Sequence, residues 1–238
     1  MATEAALKGQ VAIVTGAGRG IGRAISTALA AEGAHVVLAA RTAAEIGKVA
    51  GEIQAAGGAA TSVVTDLTRP EQIERLANEA LKINGAIDIL VNNAGIGVFK
   101  PVSEMSVDEL DAMWNVNLRG TFLATKAVLP AMTKGKRGAI VNIASLAGKN
   151  TFKGGAGYCA TKWGLRGFAG SLMLEVREHN IRVVTIFPGS VDTNFSRAGK
   201  RGPQITQAED VASAVLFAVT APARSMFSEI DLRPTIPM

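Results

Sequence analysis

Short apolar runs alternating with longer amphipathic stretches predict an α/β fold, a doubly wound parallel sheet of about seven strands in a single domain over residues 1–238. Several runs are apolar on both faces, as strands covered by helices on both sides must be. The stretches between them open on helix-cap patterns. No repeat, low-complexity segment or linker interrupts the alternation.

In chain order, VAIVT (11–15) reads as the first strand, TGAGRGIG (15–22) as a glycine-rich loop, and about 20–32 as a helix. HVVLAA (35–40) and ATSVVT (60–65) read as the next two strands. Thr68 and Glu71 match a capping box, and Ile73, Leu76, Ala77, Ala80 and Leu81 then share one helical face. IDILV (87–91) is the fourth strand, and Ser106 with Glu109 form a second box. Beyond it Leu110, Met113, Trp114, Asn117, Leu118 and Thr121 fall on one stripe, which puts an amide in the middle of an apolar face. A buried amide must make its hydrogen bonds, whether it serves structure or chemistry. GAIVNIA (138–144), a helix from Tyr158 to about Glu178, and IRVVTIF (181–187) follow. Thr206 and Glu209 form a third box, and MFSEIDL (226–232) is the last strand.

Composition narrows the class. Cys159 is the single cysteine, so no internal disulfide forms, which suits a reducing, cytoplasmic setting. The start MATEAALKGQ lacks the charge and apolar core of a signal peptide, and no apolar run approaches the about 18–20 residues of a membrane helix. Net charge is +5 with pI near 9.6, but no stretch is dense in Lys and Arg with interleaved aromatics. No nucleic-acid partner and no membrane are therefore expected; the tightest basic cluster is RAGKR (197–201). A mildly basic surface suits anionic ligands. His35 and His179 begin a strand and end a helix, far apart, so no metal site is expected.

A strand, a glycine loop and a helix in succession aim helix-terminal N–H groups at an anion. Gly16 can make the tight turn, and Gly20 and Gly22 keep side chains away from a ligand and the next helix. The common G-x-G-x-x-G spacing does not fit: from Gly16 it places Ile21 at the last glycine, and from Gly18 it places Arg23 there. Tyr158 and Lys162, spaced i and i+4, share a helical face. An ammonium beside a phenol favours the phenolate, so Tyr158 is expected to titrate below its usual value near 10 and to act as a general acid or base. Ser145, at the carboxyl end of the fifth strand, can hydrogen-bond a substrate oxygen beside it. The second strand ends in Ala39-Ala40-Arg41, with no carboxylate to repel a phosphate, and Arg41 offers a planar fork that Arg19 can join from the glycine loop.

Thr15, Gly16, Gly20 and Gly22 spell T-G-x-x-x-G-x-G, which resembles the short-chain dehydrogenase/reductase family. The likeness continues through Asp66, N-N-A-G at 92–95, Asn117, Ser145, Tyr158, Lys162 and P-G-x-x-x-T at 188–193. It implies a Rossmann-like fold and an enzyme interconverting a ketone or aldehyde and an alcohol with NADP(H), NADPH donating the hydride. It implies that Asn117, Ser145, Tyr158 and Lys162 are catalytic, Lys162 also meeting the nicotinamide ribose and Asn117 holding a water that resupplies protons. Gly16, Arg19, Gly20, Ile21 and Gly22 would take the phosphates with Arg41. Asp66 would contact the adenine and Thr193 the nicotinamide carboxamide, with Leu67, Asn93, Ala94, Gly95, Pro188, Gly189 and Val191 also binding the cofactor. Family members commonly pair into homodimers or homotetramers through the helix that carries Gly164, Gly167 and Gly170; the alternative is close packing on the chain's own sheet. The lid expected over Asn194–Ile205 is short and basic, which fits an anionic carrier, as in 3-oxoacyl-carrier reductases. Leu174 stands where such an enzyme would place a docking Arg, and the LRPTIPM end departs from that group, which favours a general carbonyl reductase with a small-molecule substrate. A binding protein that senses dinucleotide redox state is the non-catalytic alternative.

Overall fold

The protein is described by a computed structural model over residues 5–193, 195, 204–222 and 224–235. The first half of the chain runs β1 (Val11–Thr15), α1 (Gly20–Ala31), β2 (His35–Ala40), α2 (Ala43–Ala55), β3 (Ala59–Val64), α3 (Pro70–Asn84) and β4 (Ile89–Asn92). The second half runs α4 (Val107–Trp114), α5 (Thr121–Gly135), β5 (Gly138–Ile143), α6 (Ala156–Val176), β6 (Ile181–Pro188), α7 (Ala208–Thr220) and β7 (Glu229–Leu232).

The strands form one sheet in the order β3-β2-β1-β4-β5-β6-β7, every pair parallel. Alternate residues of each strand feed opposite faces. Val14, Val36 and Val141 pack with Ile25, Leu29 and Val215 from α1 and α7. Ile13, Val37 and Ile140 pack with Leu76, Val128 and Leu172 from α3, α5 and α6. Both faces being dry explains why the central strands read as unbroken apolar runs. Strand order reverses between β1 and β4, and the loops leaving their carboxyl ends diverge there to open a crevice.

The capping boxes fare unequally. Ser106 Oγ accepts from Glu109 N–H, and the Glu109 carboxylate accepts from Ser106 N–H, as expected. Thr68 does not cap α3: its N–H and hydroxyl both donate to Asp66 Oδ1. Arg69 is the boundary residue instead, and Pro70 opens the helix with its φ already suitable. The third box lies one residue later than expected, on Gln207 and Asp210, because Thr206 is drawn into a bridge with Val191. The last strand is confined to Glu229–Leu232.

The stripe through α4 and α5 also needs correcting. Met113, Asn117 and Thr121 are buried, whereas Leu110 and Trp114 are exposed. Between the two helices the backbone widens into a π-type turn over Asn115–Gly120, which resets the side-chain register. On α6, a Cβ at Gly164 would lie 3.2 Å from Leu118, while Gly167 and Gly170 face open space. Packing on the chain's own body therefore accounts for Gly164 alone.

Candidate active site

The crevice is a continuous cavity of about 1470 Å³ over the carboxyl ends of the strands. It brings together the expected glycine loop, Arg19, Ile21 and Arg41, then Asp66, Leu67 and Asn93–Gly95. Ser145, Tyr158, Lys162, Pro188, Gly189, Val191 and Thr193 complete the wall. Asn117 does not line it but sits directly behind: a Cβ at Gly95 would be 3.3 Å from Asn117 Oδ1 and 3.7 Å from Lys162 Nζ.

The loop after β1 needs its glycines. Gly16 has φ +64 and a Cβ there would meet Ala94 Cα at 2.9 Å; one on Gly22 would collide with the Gly16 carbonyl. Gly20 has φ +52 and faces Thr193. Thr15 laces this loop to the one after β4. Its hydroxyl donates to Val91 O and accepts from the N–H groups of Asn93 (3.0 Å) and Ala94 (3.1 Å), while Asn93 Nδ2 donates to Thr15 O and Gly16 O. In sequence Thr15 was only the first letter of a motif; no local pattern announces the clamp. Arg19, the residue before α1, provides no side-chain cap, and the first turn of α1 has no acidic residue. A phosphate fits there: the glycines admit it and the helix start favours its charge.

At the far end of the crevice Arg19 and Arg41 both line the cavity. Glu45, from the first turn of α2, stands between loop and helix: its carboxylate is 3.9 Å from Arg19 Nη1. Sequence reasoning missed Glu45 because its proximity is set by how α2 docks. The Thr68 N–H and hydroxyl bonds, helped by Arg41 and Arg69, hold Asp66 below the usual carboxylate range.

The reacting end is built on β5 and α6. A 3₁₀ turn over Leu146–Gly148 leaves β5 with Ser145 as its cap, the Ser145 hydroxyl accepting from Ala147 N–H. The Ser145 side chain also hydrogen-bonds the Tyr158 phenol. Lys162 is 4% exposed, donates from Nζ to Ile143 O at 3.0 Å, and lies 5.7 Å from the Tyr158 ring centre. Burial pushes Tyr158 up to about 12 and Lys162 down to about 8. The expected depression of Tyr158 is therefore not found. Desolvation of a phenol under its own helix outweighs both the Ser145 bond and an ammonium that is turned toward Ile143. Asn117 satisfies its amide fully: Oδ1 accepts from Ile96 N–H, and Nδ2 donates to Ile96 O and to the Thr161 hydroxyl. It clamps the loop after β4 against α6, beside Lys162.

His35 bonds Thr61 and His179 lies by Glu178. Among the described residues no group of three His, Cys, Asp or Glu is placed to hold a metal, and no helix is long and apolar enough to cross a membrane. Cys159 packs beside Met113 and Ala147. Most of the expected lid, including 197–201, lies outside the described residues.

The model of the short chain dehydrogenase family matches residues 10–203. An uncharacterised oxidoreductase of Staphylococcus aureus (strain N315) is 38% identical over 96% of this chain and 98% of its own. Sepiapterin reductase of Chlorobaculum tepidum is 35% identical over 94% and 96%. Among solved structures, a metagenomic short-chain oxidoreductase in complex with NADP superposes with TM-score 0.87 at 42% identity, covering 98% of this chain and 100% of the other. An alcohol dehydrogenase from the archaeon Thermococcus sibiricus, complexed with 5-hydroxy-NADP, gives 0.90 at 31% identity, covering 96% and 98%.

Proposed function

Since this chain belongs to the short-chain dehydrogenase family and is an oxidoreductase, we propose that it reduces a ketone or aldehyde to an alcohol with NADPH, and runs the reverse with NADP⁺. The observation that carries the reading is the buried pair Tyr158 and Lys162, with the half-buried Ser145 at their side, next to a cradle that fits a dinucleotide. A protein that only sensed the dinucleotide would have no use for burying a phenol and an ammonium together, given the desolvation each must bear.

When bound, the cofactor supplies a hydride to the carbonyl carbon, and the protein supplies the proton to the oxygen. Ser145 holds that oxygen by hydrogen bonding and polarises it. Tyr158, with its proton tightly held in the free protein, is loaded as the general acid for reduction. Lys162 orients the cofactor ribose and carries charge below the phenol as it gives up its proton. Asn117 fixes the Ile96 loop and borders Lys162, where the expected water relay would refill the site. Arg19 and Arg41 would hold the 2′-phosphate, and Thr193, facing Gly20, would hold the nicotinamide end. At Leu174 an apolar side chain is exposed, so the carrier-protein reading finds no docking charge there. The outer face of α6 is the proposed pairing surface for a homodimer or homotetramer.

Replacing Tyr158 by Phe removes the proton donor and little volume. NADPH oxidation with a carbonyl panel is expected to fall about 10³-fold or more while NADPH binding and the thermal transition persist. A variant that keeps the parent's rate refutes the mechanism; NADPH binding without turnover of any carbonyl in the parent favours the sensor.

A further inference from the structure

Three phenyl rings wall the reacting end of the crevice. Phe99 follows β4, Phe152 precedes α6 and Phe195 follows β6, so three separate loops each deliver one ring. Phe99 is the hub. It meets Tyr158 edge-on at 5.2 Å between ring centres, Phe152 at 5.8 Å and Phe195 at 6.5 Å; Phe195 also reaches Tyr158 at 6.0 Å.

The rings are seated, not loose. A Cβ on Gly97 would come within 2.7 Å of Phe99 and 3.1 Å of Phe195, and one on Gly155 within 2.6 Å of Phe152. Neither glycine has a positive φ, so a side chain at either position would be opposed by the rings and would have to displace them. Yet the three side chains remain 43%, 48% and 47% exposed, and all line the cavity that holds Tyr158 and Ser145. Phenyl surface held open to water in a built pocket is surface awaiting an apolar partner.

Charge distribution says which partner. Around the rings the wall is Ile96, Leu146, Ala147, Asn150 and Thr151, with no ionisable group among the described residues. Arg19, Arg23, Arg41, Glu45 and Asp66 belong to the loops after β1, β2 and β3 and the first turns of the helices that follow, and among the described residues beyond β6 the ionisable groups that line the cavity, Asp192 and, from α7, Glu209, are acidic. Among the described residues the cation at this end is Lys162, already engaged with Ile143 O, whereas a flat ring finds edges and faces at stacking distance, which an alkyl chain cannot use as well.

We propose that, given the carbonyl chemistry above, the substrate is an aryl ketone or aryl aldehyde, its ring received among Phe99, Phe152 and Phe195 with its carbonyl oxygen at Ser145 and Tyr158. The reaction adds one hydride to the carbonyl carbon and one proton to its oxygen, with NADPH oxidised to NADP⁺.

The test compares acetophenone, 2-octanone and 2-oxooctanoate with NADPH, all three having eight carbons. It adds calorimetric binding of 1-phenylethanol to the NADP⁺-loaded protein. Acetophenone is expected to exceed 2-octanone at least tenfold in kcat/KM, and the oxo acid to trail both. Phe152→Ala touches Phe99 but not Tyr158, so it is expected to cut the aryl-to-alkyl ratio about fivefold or more, mostly through KM, with Phe152→Tyr restoring it. NADPH affinity checks that the variants fold. Equal rates, a lead for 2-octanone or the oxo acid, or equal losses for all substrates in Phe152→Ala would overturn the inference while leaving the reaction class standing. If none of the three oxidises NADPH, the reaction class fails. Calorimetry then decides the ring site alone: saturable 1-phenylethanol binding weakened by Phe152→Ala sustains it, and no binding overturns it.

Discussion

Lys162 pays for its place under Tyr158 in stability. Its ammonium is buried with a backbone carbonyl as partner, and burial brings it down to about 8 from the usual 10.5. Between those values the unfolded chain holds a proton that the folded chain has released, so stability rises with pH across that window. Below pH 8 the folded protein carries the full penalty. Lys162→Met, close in volume, is therefore expected to raise Tm at pH 7 by roughly 5 °C, of order 2 kcal/mol, and to abolish turnover. The gain should shrink above pH 8 and vanish near 10.5, read by thermal melts at a series of pH values; a pH-independent gain would mean that packing, not charge, was relieved. The pair itself was legible in the sequence because i, i+4 spacing fixes a shared face. Its electrostatics were not, because desolvation depends on what α6 packs against, and that is a property of the assembled fold. The same holds for Asn117, whose odd place on an apolar stripe was visible while its partner, the Ile96 backbone, was not.

On the proposed reading, the turn from β2 into α2 decides which cofactor is held. Arg41 ends the strand's run, and Glu45 lies in the helix's first turn, where its charge suits the helix dipole but also faces Arg19. A 2′-phosphate entering between Arg19 and Arg41 must compete with that carboxylate. Arg41→Ala is expected to weaken NADPH at least tenfold more than NADH, and Glu45→Gln to tighten NADPH roughly two- to fivefold at low salt with little change for NADH, by fluorescence titration. If Glu45→Gln weakens NADPH instead, the carboxylate's job is to aim Arg19, and the competition is wrong. Strands and most helices were readable at this scale, since apolar runs such as VAIVT and HVVLAA are buried on both sides and match β1 and β2 residue for residue. Helix starts misread where the expected cap had another partner: the Thr68 side chain bonds Asp66, and the Thr206 backbone bridges Val191. The π-type turn over Asn115–Gly120 left no signature, because a helical stripe reads the same until one extra residue shifts it.

At the scale of the whole molecule, the outer face of α6 is unfinished as a surface. Trp163, Gly167, Gly170 and Leu174 recur at helical spacing on that face; Trp163 and Leu174 are exposed, and the two glycines stand in open space. Phe122 of α5 is exposed nearby and meets Phe168 edge-on. Glycine inside a helix costs roughly 1 kcal/mol against alanine, so two on an open face need a compensating neighbour. A second copy brought up across a two-fold axis would lay its own α6 into the shallow site between Trp163 and Leu174 and bury both apolar side chains twice over. A net charge of +5 on each chain opposes association, so the contact has to be carried by apolar area. The parent is therefore expected to sediment as a dimer or tetramer at micromolar concentration. Gly170→Arg should yield a smaller species with unchanged far-UV circular dichroism, since arginine favours the helix and only the pairing suffers. A monomeric parent, or a Gly170→Arg variant that keeps the parent's mass, would show that this face is not where copies meet.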